Sequence, residues 1–168
     1  AVDAGVPVIF DVNYRARLWS SSEAAVGLDP LLHRTSLLLC GAGDASTIWE
    51  LSGAVDQVAQ GLFERSSATT VVITQGDEGA SAFHRDGRRW RQSGSRVEIV
   101  DPIGAGDAFA AGFLHVWLDD RDNIAAALRS GVALASLKMT IPGDLAVISA
   151  SELDEAMSLL DGPAGDID

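Results

Sequence analysis

Lysine is almost absent from this 168-residue chain: eleven of its twelve basic residues are arginine, and Lys138 is the only lysine. A Gly-Lys-Ser/Thr phosphate loop therefore does not exist, which excludes the P-loop nucleotide folds. Cysteine is as scarce. Cys40 stands alone, so the chain can form neither an internal disulfide nor a cysteine-based zinc site. Within Leu37-Leu38-Leu39-Cys40 it reads as a small buried hydrophobe, and this cysteine usage suggests a cytoplasmic protein. Positive charge is also short. Twenty-four acidic against twelve basic residues leave a net charge of −12, which argues against nucleic acid as a partner and reads as a solvated acidic surface. No apolar run reaches the length of a membrane span and no secretory signal opens the chain, so no membrane partner is expected. No methionine begins it, and the first apolar element starts at Val6, as though the sequence opened in mid-fold.

What is present resembles an ordinary globular domain. Hydrophobic residues make up 47% and charged residues 21%, which over this length is enough to bury a core. Strands are predicted at 6–12, 36–40 and 70–74, the last rich in β-branched residues. Asp86-Gly87 between 80–84 and 88–92 is a hairpin turn, and 97–100 reads as a further strand. Helices are predicted from Ser21-Ser22 onward, from a capping Asp44 to about residue 51, over 56–65, over 105–118, from Asn123 to about 140, and from Ser151 to about 160. This alternation predicts an α/β fold with a largely parallel sheet and a β-meander. In such sheets ligands bind beyond the carboxyl ends of the strands. The polar clusters 11–15, 41–44 and 75–79 fall at such ends, and a fourth, 101–107, follows the later strand.

That fourth cluster, Asp101-Pro102-Ile103-Gly104-Ala105-Gly106-Asp107, carries the clearest chemistry. A strand ends, a glycine-rich turn follows, and a helix begins. The unpaired N–H groups of a helix start attract anions, and glycines let backbone approach a phosphate closely. Asp107 lies in the first helical turn, where a carboxylate can accept the proton of an attacking hydroxyl. The N–H groups can stabilise charge on a transferred phosphoryl group. The same four residues Gly-Ala-Gly-Asp also suit a plain strand-to-helix turn with a capping aspartate.

Asp-x-x-Gly-Ala-Gly-Asp-Ala-Phe followed by Ala-Gly-Phe resembles the C-terminal signature of the ribokinase-like (PfkB) carbohydrate kinases. The resemblance implies that Asp107 is the catalytic base, that the backbone of Gly104, Ala105 and Gly106 forms the anion hole, and that Asp101 supports the nucleotide or a monovalent cation such as K+. Pro102 stands where the family usually has Thr, removing a hydroxyl and an N–H beside that cation. The segment Thr74-Gln75-Gly76-Asp77-Glu78-Gly79 is similar to the family's Thr-x-Gly-x-x-Gly loop, which implies ATP contacts at Thr74, Gly76 and Gly79. Asp11-Val12-Asn13-Tyr14-Arg15-Ala16-Arg17-Leu18-Trp19 resembles a segment of the 2-keto-3-deoxygluconate kinases, which implies that Asp11, Asn13 and Arg15 face a sugar acid. A guanidinium suits carboxylate and phosphate alike; the other reading of Arg15 is a partner for Asp11 or another surface carboxylate. Leu137-Lys138-Met139-Thr140-Ile141-Pro142-Gly143-Asp144 resembles a segment of the same subgroup and puts Asp144 at the sugar.

Two departures limit the transfer. The family's Asn-x-x-Glu motif for Mg2+ is Gly41-Ala42-Gly43-Asp44 here, so Asp44, with Asp101, is left as a metal candidate. Gly131 stands where many relatives place Asn near the adenine, so that contact falls to backbone or to packing. The resemblance covers only the latter part of the family fold. Residues 1–161 therefore read as the C-terminal portion of a three-layer α/β/α ribokinase-like domain, without the Gly-Gly sugar signature and the β lid, and 162–168 as a polar tail. The expected activity is ATP- and Mg2+-dependent phosphorylation of a sugar or sugar acid, weak or absent in this chain by itself, with a homodimer in the complete protein. A fructokinase, ribokinase or nucleoside kinase of the same family, and a silent nucleotide- or sugar-binding module, remain open at this stage.

Overall fold

The computed structural model describes residues 1–160 and the backbone of 165–166; the predicted polar tail otherwise lies outside the described residues. The strands are β1 (Ile9–Asp11), β2 (Leu37–Gly41), β3 (Thr70–Thr74), β4 (Gly79–His84), β5 (Arg89–Ser93) and β6 (Gly165–Asp166), in that order across the sheet. The helices are α1 (Ser21–Leu32), α2 (Ala42–Trp49), α3 (Val55–Arg65), α4 (Ala105–Trp117), α5 (Ile124–Met139) and α6 (Ala150–Leu159). The chain divides into two compact units that are interleaved in sequence. The first is Ala1–Gln75 with Ser81–Arg89, and the second is Gly76–Ala80 with Trp90–Asp168.

The first unit is built on parallel strands. Leu37 pairs with Ile9 on one side and Thr70 on the other, and Gly41 with Thr74. The apolar runs of β2 and β3 are buried on both faces, as continuous hydrophobic parallel strands should be. Leu28, Leu32, Leu38, Val58, Leu62, Val71, Ile73 and Phe83 form the centre of this core. Helix α1 begins at Ser21, within the predicted start, and Ser20 before it is the cap, in a reciprocal capping box with Glu23. Cys40 is buried as predicted, and burial pushes its thiol well up, helped by the charges of Asp44 and Asp11.

Arg85, just past β4, does work that its sequence position does not advertise. Its guanidinium donates to the carbonyls of Ala68 (2.7 Å), Phe63 (2.8 Å) and Ser66 (2.6 Å) and lies 5.0 Å from the Phe63 ring centre. It thereby satisfies carbonyls at and beyond the C-terminus of α3, where a cation also meets the negative end of the helix.

The second unit packs α4 against α5. Ala108, Phe109, Gly112, Phe113 and Trp117 supply the buried face of α4, and Ala127, Leu128, Gly131, Val132 and Ala133 lie buried on α5. Small residues set the distance of approach. A Cβ on Gly112 would lie 2.6 Å from the Ser130 carbonyl oxygen, and one on Gly131 2.9 Å from the Phe109 ring. Asn123 caps α5 as predicted, and Ser149, with Glu152, caps α6 two residues ahead of the predicted Ser151.

Residues 97–100 are not a strand. Ile99 and Val100 are both exposed, so the run has no buried face. The Val100 and Asp101 N–H groups instead converge on the Met139 carbonyl, at 2.8 and 3.1 Å. Strand propensity is overridden by the end of a helix.

Candidate active site

The turn before α4 is held by a small set of backbone-directed contacts within the second unit. One Asp101 carboxylate oxygen accepts from the Ile103 N–H at 3.0 Å, and the other from the Gly143 N–H at 3.0 Å. The Ile103 N–H, then that of Gly143, then the positive charge of Lys138 hold the Asp101 carboxyl below its ordinary range. Lys138 is fully buried. Its Nζ donates to the Asp101 carbonyl at 3.1 Å and the Ile141 carbonyl at 3.2 Å. The 101–104 turn and the 141–144 segment are thus laced together by one carboxylate and one amine.

The glycines of this loop have separate reasons to be there. Gly104 is the N-cap of α4 at φ 85°, and a Cβ on it would lie 2.6 Å from the Asp144 carbonyl oxygen. Its backbone conformation and its neighbour both require glycine. Gly106 has no positive φ, and a Cβ there would meet nothing within 4 Å. The fold does not need a glycine at 106, so the space beside it is open to a ligand. Ala105, Gly106 and Asp107 form the first turn of α4, and the Ala105 N–H donates to the Pro102 carbonyl just before it, at 3.3 Å. Asp107 is exposed on that turn.

The first unit gathers polar groups at the carboxyl ends of its parallel strands. Asp11 ends β1, Gly41 ends β2 and Thr74 ends β3. Asp44 was expected to cap α2, but Gly41 is the N-cap; the Asp44 carboxylate reaches back and accepts from the Tyr14 N–H at 3.2 Å. A Cβ on Gly41 would lie 3.5 Å from Asp44 Oδ2 and 3.7 Å from Thr74 Oγ1, which locates both groups above the β2–β3 pair. Asn13 holds a left-handed φ of 40°, uncommon for a residue with a side chain. The Tyr14 hydroxyl donates to the Trp19 carbonyl at 3.0 Å and closes the loop in which Arg15 is exposed. Among the described residues Arg15 has no ion-pair partner.

Other predicted positions have a packing explanation. Gly76 and Gly79, in the second unit, have φ of 63° and 101°. A Cβ on Gly79 would collide with the backbone of Gln92 and Gly94, so this glycine is required by close chain approach whatever binds nearby. Gly131, predicted to contact the nucleotide, is enclosed at the α4–α5 crossing against Phe109; the helix contact accounts for it. The metal candidates fit a dedicated cage poorly. Among the described residues no three His, Cys, Asp or Glu side chains gather as a metal cluster, and the Asp44 and Asp101 carboxylates already accept backbone N–H groups.

Residues 2–150 match the pfkB family carbohydrate kinases. The chain belongs to that family. Among curated pfkB relatives it is 36% identical over 157 residues to the 2-dehydro-3-deoxygalactonokinase of Haloferax volcanii, covering 94% of this chain and 49% of that protein. It is 31% identical to the 5-dehydro-2-deoxygluconokinase of Bacillus velezensis, with the same coverage of 94% and 49%. The crystal structure of 2-dehydro-3-deoxygluconokinase from Thermotoga maritima superposes with a TM-score of 0.80 at 29% identity, over 94% of this chain and 52% of that one. The predicted ribokinase-like α/β fold is therefore the observed one. The chain spans about half the length of the pfkB relatives it matches.

Lys138 is the site residue that sequence reasoning missed. Its segment points by resemblance to Asp144, and nothing local in the sequence marks the lysine itself.

Proposed function

We propose that this chain is part of an ATP-dependent kinase that phosphorylates a hydroxyl of a sugar acid, of the 2-keto-3-deoxygluconate type. The observation that carries the reading is the start of α4: a turn fixed by Asp101, Gly104 and Gly143, an open face at Gly106, and a carboxylate at Asp107 on the same helical turn. The N–H groups of Gly104, Ala105 and Gly106 bind the transferring phosphoryl group. The Asp107 carboxylate takes the proton of the sugar hydroxyl as its oxygen attacks the γ-phosphorus, and ADP leaves with the electrons of the broken P–O bond. Thr74, Gly76 and Gly79 serve the nucleotide. Mg2+ would come with ATP and would supply charge neutralisation at its phosphates, and Asp44, at the position of the family's Asn-x-x-Glu motif, would be the protein carboxylate serving it.

The acid character of the substrate rests on Arg15, which carries a positive charge with no ion-pair partner among the described residues and follows Asp11 and Asn13 at the end of β1. The names of the relatives agree: a dehydro-deoxygalactonokinase, a dehydro-deoxygluconokinase and this chain's structural neighbour are all named for oxidised, deoxygenated sugar acids. Asp144 of the second unit is assigned to the sugar by its segment, as an acceptor for hydroxyls.

The test is a substrate panel with the complete polypeptide, following ADP release with 2-keto-3-deoxygluconate, its galactonate epimer, 5-dehydro-2-deoxygluconate, fructose, ribose and a nucleoside. One of the acids is expected to give the highest kcat/KM. Asp107→Asn should lower kcat by a factor of about 10² to 10⁴, the usual contribution of a positioned base. Higher efficiency on a neutral sugar than on every acid would refute the acid reading, and no turnover with any of them would refute the kinase reading. The 168-residue chain alone is expected to turn over far more slowly than the complete protein.

A further inference from the structure

The interior of the second unit contains a cation for which the phosphoryl-transfer scheme has no step. Lys138 is 0% exposed, although lysines are almost never fully buried without partners. One of its acceptors, the Asp101 carbonyl, lies 37 residues away in sequence, so this is not a lysine merely covering the last turn of its own helix. Its Cε lies 3.4 Å from the position of a Cβ on Gly104, directly behind the turn that starts α4. The groups converging on Nζ are carbonyl oxygens, with the Asp101 carboxylate close enough to be held ionised by the same charge. Backbone carbonyl oxygens converging on one point, with a carboxylate nearby, are also what binds a weakly hydrated monovalent ion such as K+. An ammonium group and K+ are close in size and charge.

We propose that Lys138 is a tethered substitute for a bound monovalent cation: its amine fills an ion site behind the α4 turn, so that this protein needs no K+ there, and removal of the amine opens that site to K+ or ammonium. Lys138 is thereby a positioning residue, holding the Asp101 and Ile141 carbonyls together and with them the turn that presents Gly104 to Asp107. The inference goes beyond the proposed function and stands on the two carbonyl oxygens that accept from Nζ and on the Asp101 carboxylate beside them. It replaces the expectation that an exchangeable K+ binds at Asp101.

The experiment uses the 168-residue chain and thermal unfolding, a readout independent of catalysis. Lys138→Met keeps most of the aliphatic stem and ends one atom short of Nζ. Wild type, Lys138→Met, the double variant Lys138→Met/Asp101→Asn and the control Arg85→Met are each melted in choline, sodium, potassium and ammonium chloride at equal ionic strength. Wild type is expected to melt at the same temperature in all four salts. Lys138→Met should melt roughly 10 °C lower in choline, since buried carbonyls lose their donor, and recover at least half of that loss in potassium or ammonium. The double variant and Arg85→Met should show no such selective recovery. Potassium-specific stabilisation of wild type would overturn the proposal. So would a Lys138→Met chain as stable as wild type, or one whose loss, up to failure to fold, is the same in every salt.

Discussion

Two glycines separated by a single residue should respond in opposite directions to the same substitution. Gly104→Ala places a side chain at φ 85°, where an L-residue costs about 1–2 kcal/mol. It also sets a Cβ 2.6 Å from the Asp144 carbonyl oxygen. That oxygen belongs to backbone, so the 143–144 segment must retreat by several tenths of an ångström. The adjacent Gly143 N–H to Asp101 bond, 3.0 Å in the native turn, is strained or lost at a further ~1 kcal/mol. The sum is about 3 kcal/mol, which for a chain of this size lowers Tm by roughly 6–12 °C. Gly106→Ala meets nothing within 4 Å in a helical turn, and exchanging glycine for alanine there gains up to about 1 kcal/mol of helix propensity. Circular dichroism melts of the two single variants suffice to compare them. If Gly106→Ala destabilises as much as Gly104→Ala, the division of the loop into a structural glycine and a ligand-facing glycine is wrong. In the complete protein Gly106→Ala should then fold well and transfer phosphate poorly, because its methyl group occupies the space assigned to the phosphoryl group.

Arg85→Met removes the donors to three carbonyls around the end of α3 and should cost about 1–3 kcal/mol, measured as a lower urea midpoint with an unchanged slope. Acid should weaken both units through aspartates whose carboxyls are held low. The Asp86 carboxyl is lowered from 3.8 to about 2, first by the Arg88 N–H and then by the His84 and Arg88 side chains, and that of Asp101 is lowered by Ile103, Gly143 and Lys138. A depressed folded-state value means that the stabilisation is whole above about pH 4, the unfolded range, and is lost as pH falls through the folded value. Urea midpoints between pH 5 and 2 should therefore fall less steeply in Asp86→Asn and Asp101→Asn than in wild type; parallel profiles would refute the assignment.

The helices of the second unit were the most legible part of the chain. Phe109, Gly112, Phe113 and Val116 repeat at helical spacing, Asn123 is a cap by its chemistry, and Pro142-Gly143 ends the run. β3 was predicted residue for residue, because 70–74 is β-branched and bounded by polar residues. The errors have a common cause in contacts from distant segments. Residues 97–100 look like a strand, but the carbonyl that receives the Val100 and Asp101 N–H groups is at Met139. Asp44 is a good cap by type, yet it turns to Tyr14, thirty residues earlier. Gly104 and Gly106 are indistinguishable as letters, and only the approach of Asp144 separates them. Lys138 gave no local signal, since its meaning depends on an acceptor in another loop.

The interleaving of the two units also bears on how the chain is made. The first unit lacks Ser81–Arg89 until ribosomal synthesis has passed through residues that belong to the second. Until then Phe83 is missing from its core, and the carbonyls of Phe63, Ser66 and Ala68 await the guanidinium of Arg85. At about 5–20 residues per second, the 14 residues from Gly76 to Arg89 take on the order of one second. A nascent chain stalled near Gln75 would expose apolar β3 with no β4 beside it, whereas one stalled after Arg89 holds every segment of the first unit.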